Sequence, residues 1–408
     1  MLHRFLDSSI LPCLPARRQT GIPQKKSNKM ATNNQLSPPE LARYARHIAI
    51  PEFGLEGQKK LKEGKVLVIG SGGLGSPVLL YLAAAGVGTI GIVDFDVVDD
   101  SNLQRQVLFT VEDVGKSKAQ TAGRRLKALN PHIEIHVHET RFTRENALDL
   151  IKDYDVVADG TDNFPTRYLV NDACVLAGKV NVYASIFQFE GQVSVFNYLH
   201  EDGTRGPNYR DMFPEPPPPG LVPNCAEGGV LGVLPGIIGS MQASEVIKVL
   251  TGVGEPLAGR LFLFDAASFT TRILKVHKNS DTKITGLIDY DEFCGIAKTA
   301  DRPVKEVSVQ DLYKLITEGA DFQLIDVREP HEYGIANIGG ELIPLGSISA
   351  AAGKISRDKK VIVHCRSGVR SANAIRQLED EFGFENLFNL KGGILAWSKE
   401  IDASVPTY

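Results

Sequence analysis

The stretch KVLVIGSGGLGSPVLLYLAAAG, residues 65–86, decides the fold. Its apolar, β-branched start predicts a strand buried on both faces, as in a parallel sheet. GSGGLG, from Gly70 to Gly75, satisfies G-x-G-x-x-G, and PVLLYLAAAG reads as the following helix. Backbone N–H groups and a helix N-terminus would meet phosphate there. TIGIVDFD (89–96) reads as the next strand and carries Asp94 about 20 residues on, where a carboxylate can hold ribose hydroxyls. So far the pattern fits any dinucleotide or nucleotide enzyme, NAD-type domains included.

Working outward, strand and helix go on alternating. SKAQTAGRRLKALNP is a predicted helix, and IEIHVHE, DVVADG and KVNVYASI are predicted strands, giving a Rossmann-like doubly wound α/β domain. A proline-rich segment, EDGTRGPNYRDMFPEPPPPGLVPN, leads to Cys225 and the predicted helix GIIGSMQASEVIKVLTG. Periodicity fades over 278–303 and resumes in a smaller α/β unit. The expected organisation is a disordered leader (1–36), a larger α/β domain built on the glycine loop (37–277), a linker (278–303) and a second domain (304–408). The leader is basic and superficially resembles an organelle transit peptide, but its prolines interrupt an amphipathic helix, and Met30 offers an alternative start.

With 43% hydrophobic and 23% charged residues in 408, the chain has material for two or three cores. A net charge of −4 gives no basic field for nucleic acid, and no apolar run reaches bilayer length. Five scattered cysteines, at 13, 174, 225, 294 and 365, argue against a disulfide framework and for the reducing cytosol.

The residues around the glycine loop narrow the chemistry. DDSNLQRQ places Ser101, Asn102, Leu103, Gln104 and Arg105 one turn beyond the ribose position, and Lys118 follows in GKSKA. Arg43 and Arg46 lie three apart, expected on one face of a helix. Hydride transfer needs no such set of cations, whereas expelling pyrophosphate from ATP does. Asp162 and Asn163, in DGTDN at a strand end, offer oxygen ligands for Mg2+. The set favours nucleotidyl transfer.

GSGGLG, VDFDVVDDSNLQRQ, GKSKA, DGTDN, EGQVSVF and NCAEGGVLGVLPGIIGSMQASEVIK together resemble the MoeB/ThiF adenylyltransferases over residues 40–275. The resemblance implies that ATP adenylates the C-terminal glycine of a ubiquitin-like sulfur-carrier protein ending in Gly-Gly. It assigns Gly73 and Asp94 to phosphate and ribose, and Asn102, Arg105 and Lys118 to phosphates. It gives Asp162 the metal, Cys225 a nucleophilic role, and Arg46 the part of an arginine finger in a homodimer partner's site.

A second motif lies in KVIVHCRSGVRSANAI, residues 360–375. Cys365 opens a loop of Arg366, Ser367, Gly368, Val369 and Arg370 before a helix expected from Ser371. Successive N–H groups are expected to converge on the sulfur and stabilise a thiolate or persulfide. Tyrosine phosphatase loops have five residues between Cys and Arg. The four here make a tighter cradle, suited to a terminal sulfur. With LIDVRE before it, where Asp326 and Arg328 either order the loop or form a structural salt bridge, and KGGILAW after it, the region resembles a rhodanese domain.

The two domains together resemble the eukaryotic molybdopterin-synthase adenylyltransferase and sulfurtransferase family. That implies persulfide sulfur passed from a cysteine-desulfurase-type donor to the carrier as a thiocarboxylate, serving tRNA wobble-uridine thiolation, molybdenum cofactor synthesis or protein conjugation. The family's two C-x-x-C zinc pairs are not kept: Asn208 to Asp211 and Asp291 to Cys294 stand there, so zinc is expected to be absent. Cys174 is expected in the core. Two competing readings, an NAD-dependent oxidoreductase and a non-catalytic adaptor for ubiquitin-like proteins, lack a catalytic His or Tyr and degenerate motifs respectively.

Overall fold

The computed structural model describes residues 35–217, 228–295 and 302–407. The N-terminal unit is built on an eight-stranded sheet in the order β3-β2-β1-β4-β5-β6-β7-β8. Strands β1 (Lys65–Ile69), β2 (Thr89–Val93), β3 (Glu134–His138), β4 (Val156–Asp159) and β5 (Val180–Phe187) run parallel. β6 (Glu190–Phe196), β7 (Arg260–Asp265) and β8 (Thr270–Lys275) add an antiparallel wing to the expected doubly wound sheet. The continuous apolar runs fall on β1, β2 and β4, buried on both faces. β8 closes the sheet as an edge strand, all six residues exposed.

Strand order reverses between β1 and β4, which opens a crevice beyond their carboxyl ends. There the backbones nearly touch. Gly70 has φ +87° and donates its N–H to Val93 O at 2.8 Å, and a Cβ on Gly75 would stand 1.9 Å from Gly70 O. The apolar helix Gly75–Ala85 leaves this turn buried almost all round, as its composition demands. The helix Leu234–Thr251 packs beside it, and its Gln242 Nε2 donates to Asp159 O and Val182 O at 2.7 and 2.8 Å, bracing the end of β4 against β5.

Two expectations need correction here. Arg43 and Arg46 do not share one helix: Tyr44, with φ −94° and ψ 10°, separates Pro38–Arg43 from Ala45–Ile48. The Tyr44 ring is buried and its hydroxyl accepts from Asn130 Nδ2, while Arg43 donates to Leu129 O. Nor is 278–303 a bare linker. Tyr290 and Cys294 are buried in the N-terminal core beside Tyr168 and Tyr209, because a short helix, Tyr290–Phe293, folds its aromatic side chains back onto it.

The C-terminal unit is a five-stranded, all-parallel sheet in the order β11-β10-β12-β13-β9. Its strands are β9 (Glu306–Val307), β10 (Phe322–Asp326), β11 (Glu341–Leu342), β12 (Lys360–His364) and β13 (Leu387–Leu390). Separate cores cover its two faces, one around Val363 and Leu378, the other around Leu312 and Trp397. Among the described residues no helix is long and apolar enough to cross a membrane.

Replacing Gly75 by Ala should destabilise the N-terminal unit by about 3 kcal/mol or more, because backbone rather than a flexible side chain blocks the new methyl. Denaturant unfolding of the full chain should show that transition shifted and the C-terminal one unmoved.

Candidate functional sites

The crevice opens into a cavity of about 920 Å³ lined by Gly70, Gly72, Gly73, Asp94, Arg105, Lys118 and Asp162, among others. Asp94, at the end of β2, ties the glycine loop down. Its Oδ2 accepts from Ser71 N and Oγ at 2.8 and 2.7 Å, and its Oδ1 accepts from Asp96 N at 2.9 Å. A carboxylate has about four lone-pair positions, so one remains for a ribose hydroxyl. Lys118 opens the helix Lys118–Leu129 behind its Ser117 cap, nearly buried, with Nζ 3.3 Å from Asp96 Oδ2. Arg105 also faces the cavity, braced by Ser101 O at 3.1 Å.

The turn after β4 presents Asp162. Asp159, fully buried, accepts from Thr161 N and Oγ1 at 3.0 and 2.6 Å, bending the chain so that Asp162 lies exposed on the cavity wall. Burial pushes the Asp159 carboxyl up from its usual range. The Asp162 carboxylate faces the cavity, where an oxygen ligand for Mg2+ is expected. Asn163 fits less well than expected: its side-chain oxygen accepts from Thr166 N at 3.0 Å as the N-cap of Phe164–Leu176.

Ser101, Asn102, Leu103 and Gln104 do not line the cavity. Asp99 caps the turn Asp100–Asn102, accepting from the Ser101 hydroxyl and N–H, which hold its carboxyl below the usual carboxylate range. Leu103 packs on the core, and Gln104 lies against Gly232. Arg46 is exposed and also outside the cavity lining. In their place stand residues that sequence reasoning missed. Gln106 is buried, lines the cavity and leaves Oε1 without a partner among the described residues. Buried Arg167 sits 5.5 Å from the Phe164 ring and 5.4 Å from that of Tyr183, and Arg141 lies 4.1 Å over Phe95. No local pattern marks these, since each gains its place from contacts made across the fold. Cys225 lies outside the described residues.

The second site begins at the end of β12. Cys365 has no exposed surface, and its sulfur accepts from Gly368 N at 3.2 Å. Ser371 Oγ is 3.4 Å from the sulfur and 2.7 Å from Asn389 Oδ1, so its single proton serves one of them at a time. The expected convergence of several N–H groups thus reduces, among the described hydrogen bonds, to one amide and a hydroxyl. The helix starts earlier than expected, at Val369, with Gly368 at φ +95° preceding it and its positive end toward the thiol.

The loop's outward carbonyls are held by a second helix N-terminus. Ile394 N donates to Cys365 O at 3.0 Å and Leu395 N to Arg366 O at 3.1 Å. Gly393 permits the approach, since a Cβ there would lie 2.4 Å from Cys365 O. Arg370 makes a bidentate pair with buried Glu332, 2.7 Å for each bond, which anchors the loop's far end. Asp326 and Arg328 form a buried bidentate ion pair. Arg328 also donates to Ala336 O at 2.6 Å, so the pair fixes the helix Pro330–Ile335 that carries Glu332.

Beneath the loop, burial pushes His364 down to about 4, Asp326 at 3.7 Å opposing and Arg328 assisting. An unfolded His near 6.5 takes up its proton first. C-terminal domain stability should therefore fall by about 3 kcal/mol as pH drops from 6.5 toward 4. His364→Gln should flatten that segment of the pH–stability curve. Arg370→Lys, which forfeits the fork, should lower thiosulfate-to-cyanide sulfur transfer by about tenfold or more and leave ATP–pyrophosphate exchange unchanged.

Comparison with known proteins gives a family for each of the two units. The ThiF family model matches residues 44–285 and the rhodanese-like domain model residues 308–400. A probable adenylyltransferase/sulfurtransferase, MoeZ, of Mycobacterium tuberculosis is 51% identical over 91% of this chain and 96% of its own length. The adenylyltransferase and sulfurtransferase MOCS3 of Drosophila grimshawi is 41% identical over 95% of this chain and 90% of its own. A sulfur carrier protein adenylyltransferase of Thermus thermophilus is 53% identical over 63% of this chain and 97% of its own. The crystal structure of E. coli MccB shares the fold, with a TM-score of 0.53 at 22% identity over 62% of this chain and 74% of that one. With the glycine-loop crevice and the Cys365 loop on one polypeptide, the chain belongs to the ThiF family and carries a C-terminal rhodanese-like domain, the architecture of the two-domain adenylyltransferase/sulfurtransferases.

Proposed function

We propose that this protein adenylates the C-terminal glycine of a ubiquitin-like sulfur carrier and then delivers sulfur to it from Cys365. The observation that carries the reading is the pairing of a cation-lined nucleotide crevice with a thiol buried under its own loop and held by an amide and a hydroxyl. A carboxylate is a poor electrophile. Attack by its oxygen on the α-phosphorus of ATP expels pyrophosphate and turns it into a mixed anhydride. Lys118 and Arg105 face the charge that accumulates on the departing group. Asp162 would hold Mg2+, which neutralises phosphate charge when bound.

Cys365, loaded as a persulfide by a cysteine-desulfurase-type donor, supplies the second nucleophile. Its terminal sulfur attacks the acyl carbon and AMP leaves, giving an acyl disulfide. A second thiol, assigned to Cys225, then attacks the Cys365 sulfur, releases the carrier as a thiocarboxylate and leaves a disulfide that a cellular thiol reduces. Arg46, exposed and away from its own cavity, fits the role of a finger entering the partner's site in a homodimer. The cytosol is the proposed location. The thiocarboxylate would feed wobble-uridine 2-thiolation of tRNA, with molybdenum cofactor synthesis and protein conjugation as further uses. Zinc is proposed to play no part.

ATP–pyrophosphate exchange with a purified Gly-Gly-ended carrier should be retained in Cys225→Ala and Cys365→Ala. Thiocarboxylate formation, read by mass spectrometry of the carrier, should vanish in Cys365→Ala. Loss of exchange in that variant would refute the division of labour.

A further inference from the structure

We infer that a metal-free clasp, the Asp172–Arg210 ion pair closed by Tyr290, positions the outer wall of the nucleotide cavity. Asp172 lies in the helix Phe164–Leu176 with 1% of its surface exposed. Its Oδ1 and Oδ2 accept from Arg210 Nε and Nη2, each at 2.8 Å, and Oδ2 also accepts from the Tyr290 hydroxyl at 2.8 Å. Asn171 Nδ2 adds a fourth donor at 3.0 Å. The Arg210 guanidinium stands 5.0 Å from the Tyr168 ring and 4.5 Å from the Phe293 ring, so its charge packs on two aromatic rings while both acid oxygens are occupied. Three segments distant in sequence are thereby joined: the helix, the turn at 208–213 and the helix Tyr290–Phe293.

The side chains at the zinc-equivalent positions are committed elsewhere. Asn208 Oδ1 accepts from Arg210 N and Asn171 Nδ2, at 2.9 and 3.1 Å. Asp211 Oδ2 accepts from Asn208 N at 2.7 Å, and its Oδ1 from Asn279 N at 3.1 Å. Cys294 is buried among aromatic rings, and burial pushes its thiol up to about 11, so it keeps its proton at neutral pH. Asp291 lines the cavity. A tetrahedral metal would find one protonated thiol and, at Asn208 and Asp211, oxygens already serving N–H groups.

What the clasp holds gives it a function. Ile288, Asp289, Tyr290 and Asp291 line the same cavity as Asp94 and Lys118. The wall is therefore hung from Asp172 directly through the Tyr290 phenol and indirectly through the Arg210 guanidinium, which packs on Phe293. Because an Arg–carboxylate fork is directional, the wall is fixed in orientation as well as in distance. These are positioning residues: none touches the phosphate-binding turn. The inference rests on the reading that this cavity takes ATP.

The test uses the full-length protein with a Gly-Gly-ended carrier. Arg210→Met, which keeps bulk and removes the fork, should raise the KM for ATP in pyrophosphate exchange by about tenfold and leave kcat within a few-fold. Thiosulfate-to-cyanide sulfur transfer should be unaffected in the same variant. Asp172→Asn combined with Arg210→Met should recover part of the thermal stability lost in the single variant, since no lone charge is left buried. Elemental analysis should find no stoichiometric zinc, and a zinc-selective chelator should change neither melting nor exchange. If Arg210→Met does not fold, Tyr290→Phe decides the matter, with an expected rise of a few-fold in the ATP KM. An unchanged ATP KM in a folded variant, or tightly bound zinc whose removal abolishes exchange, would overturn the inference. Absence of exchange in the unaltered protein would instead sink the ATP reading.

Discussion

The N-terminal unit depends on a backbone contact that only glycine allows. β1 and β4 end side by side, and the turn leaving β1 must double back beneath its own helix, with Gly75 against Gly70 O and Gly160 against Ile69 O. Any side chain at Gly75 would push the helix away from the strand. Closing that gap leaves the crevice as the one direction open to the first-turn N–H groups. The Asp94 carboxylate then locks the turn through Ser71. Anion recognition here is a by-product of how tightly two strand ends are packed.

The C-terminal unit solves a similar problem with opposite parts. A thiol at a strand end has to be kept from solvent yet held ready to carry charge. Two helix N-termini do this, one following the loop and facing the sulfur, the other docking on the carbonyls that point outward. The arginine that closes the motif forks onto Glu332, which ties the end of the loop to the helix Pro330–Ile335. From Asp326 through Arg328 and the helix carrying Glu332 to Arg370, the loop is tied to the sheet by ion pairs that burial keeps short.

The sequence is most legible where structure is local. Apolar runs reveal β1, β2 and β4; the glycine spacing reveals the turn; and CRSGVR reveals the sulfur loop, because each is decided within a few residues. Legibility fails where partners are far apart in the chain. Gln106 and Arg167 carry no local signature. Asn163 looks like a metal ligand until the helix behind it takes its oxygen as a cap. Arg43 and Arg46 obey helical spacing, but Tyr44 is drawn into the core beside Asn130 and breaks the helix between them. The span from 278 to 295 reads as a linker because its anchors, Tyr290 and Cys294, are two residues in a polar stretch, and their burial depends on a surface made by distant helices.

The final strand of the large sheet carries a further consequence. β8 offers its open side and both faces to water, and Ile273 and Leu274 are exposed on it. Left plain, such a border would recruit stray extended chains and seed aggregation. Arg272 and Lys275 put positive charge on the same short strand, so an incoming copy would meet like charge as soon as it aligned. Among the described residues the sheet can thus end in solvent without a covering helix, which leaves that flank accessible.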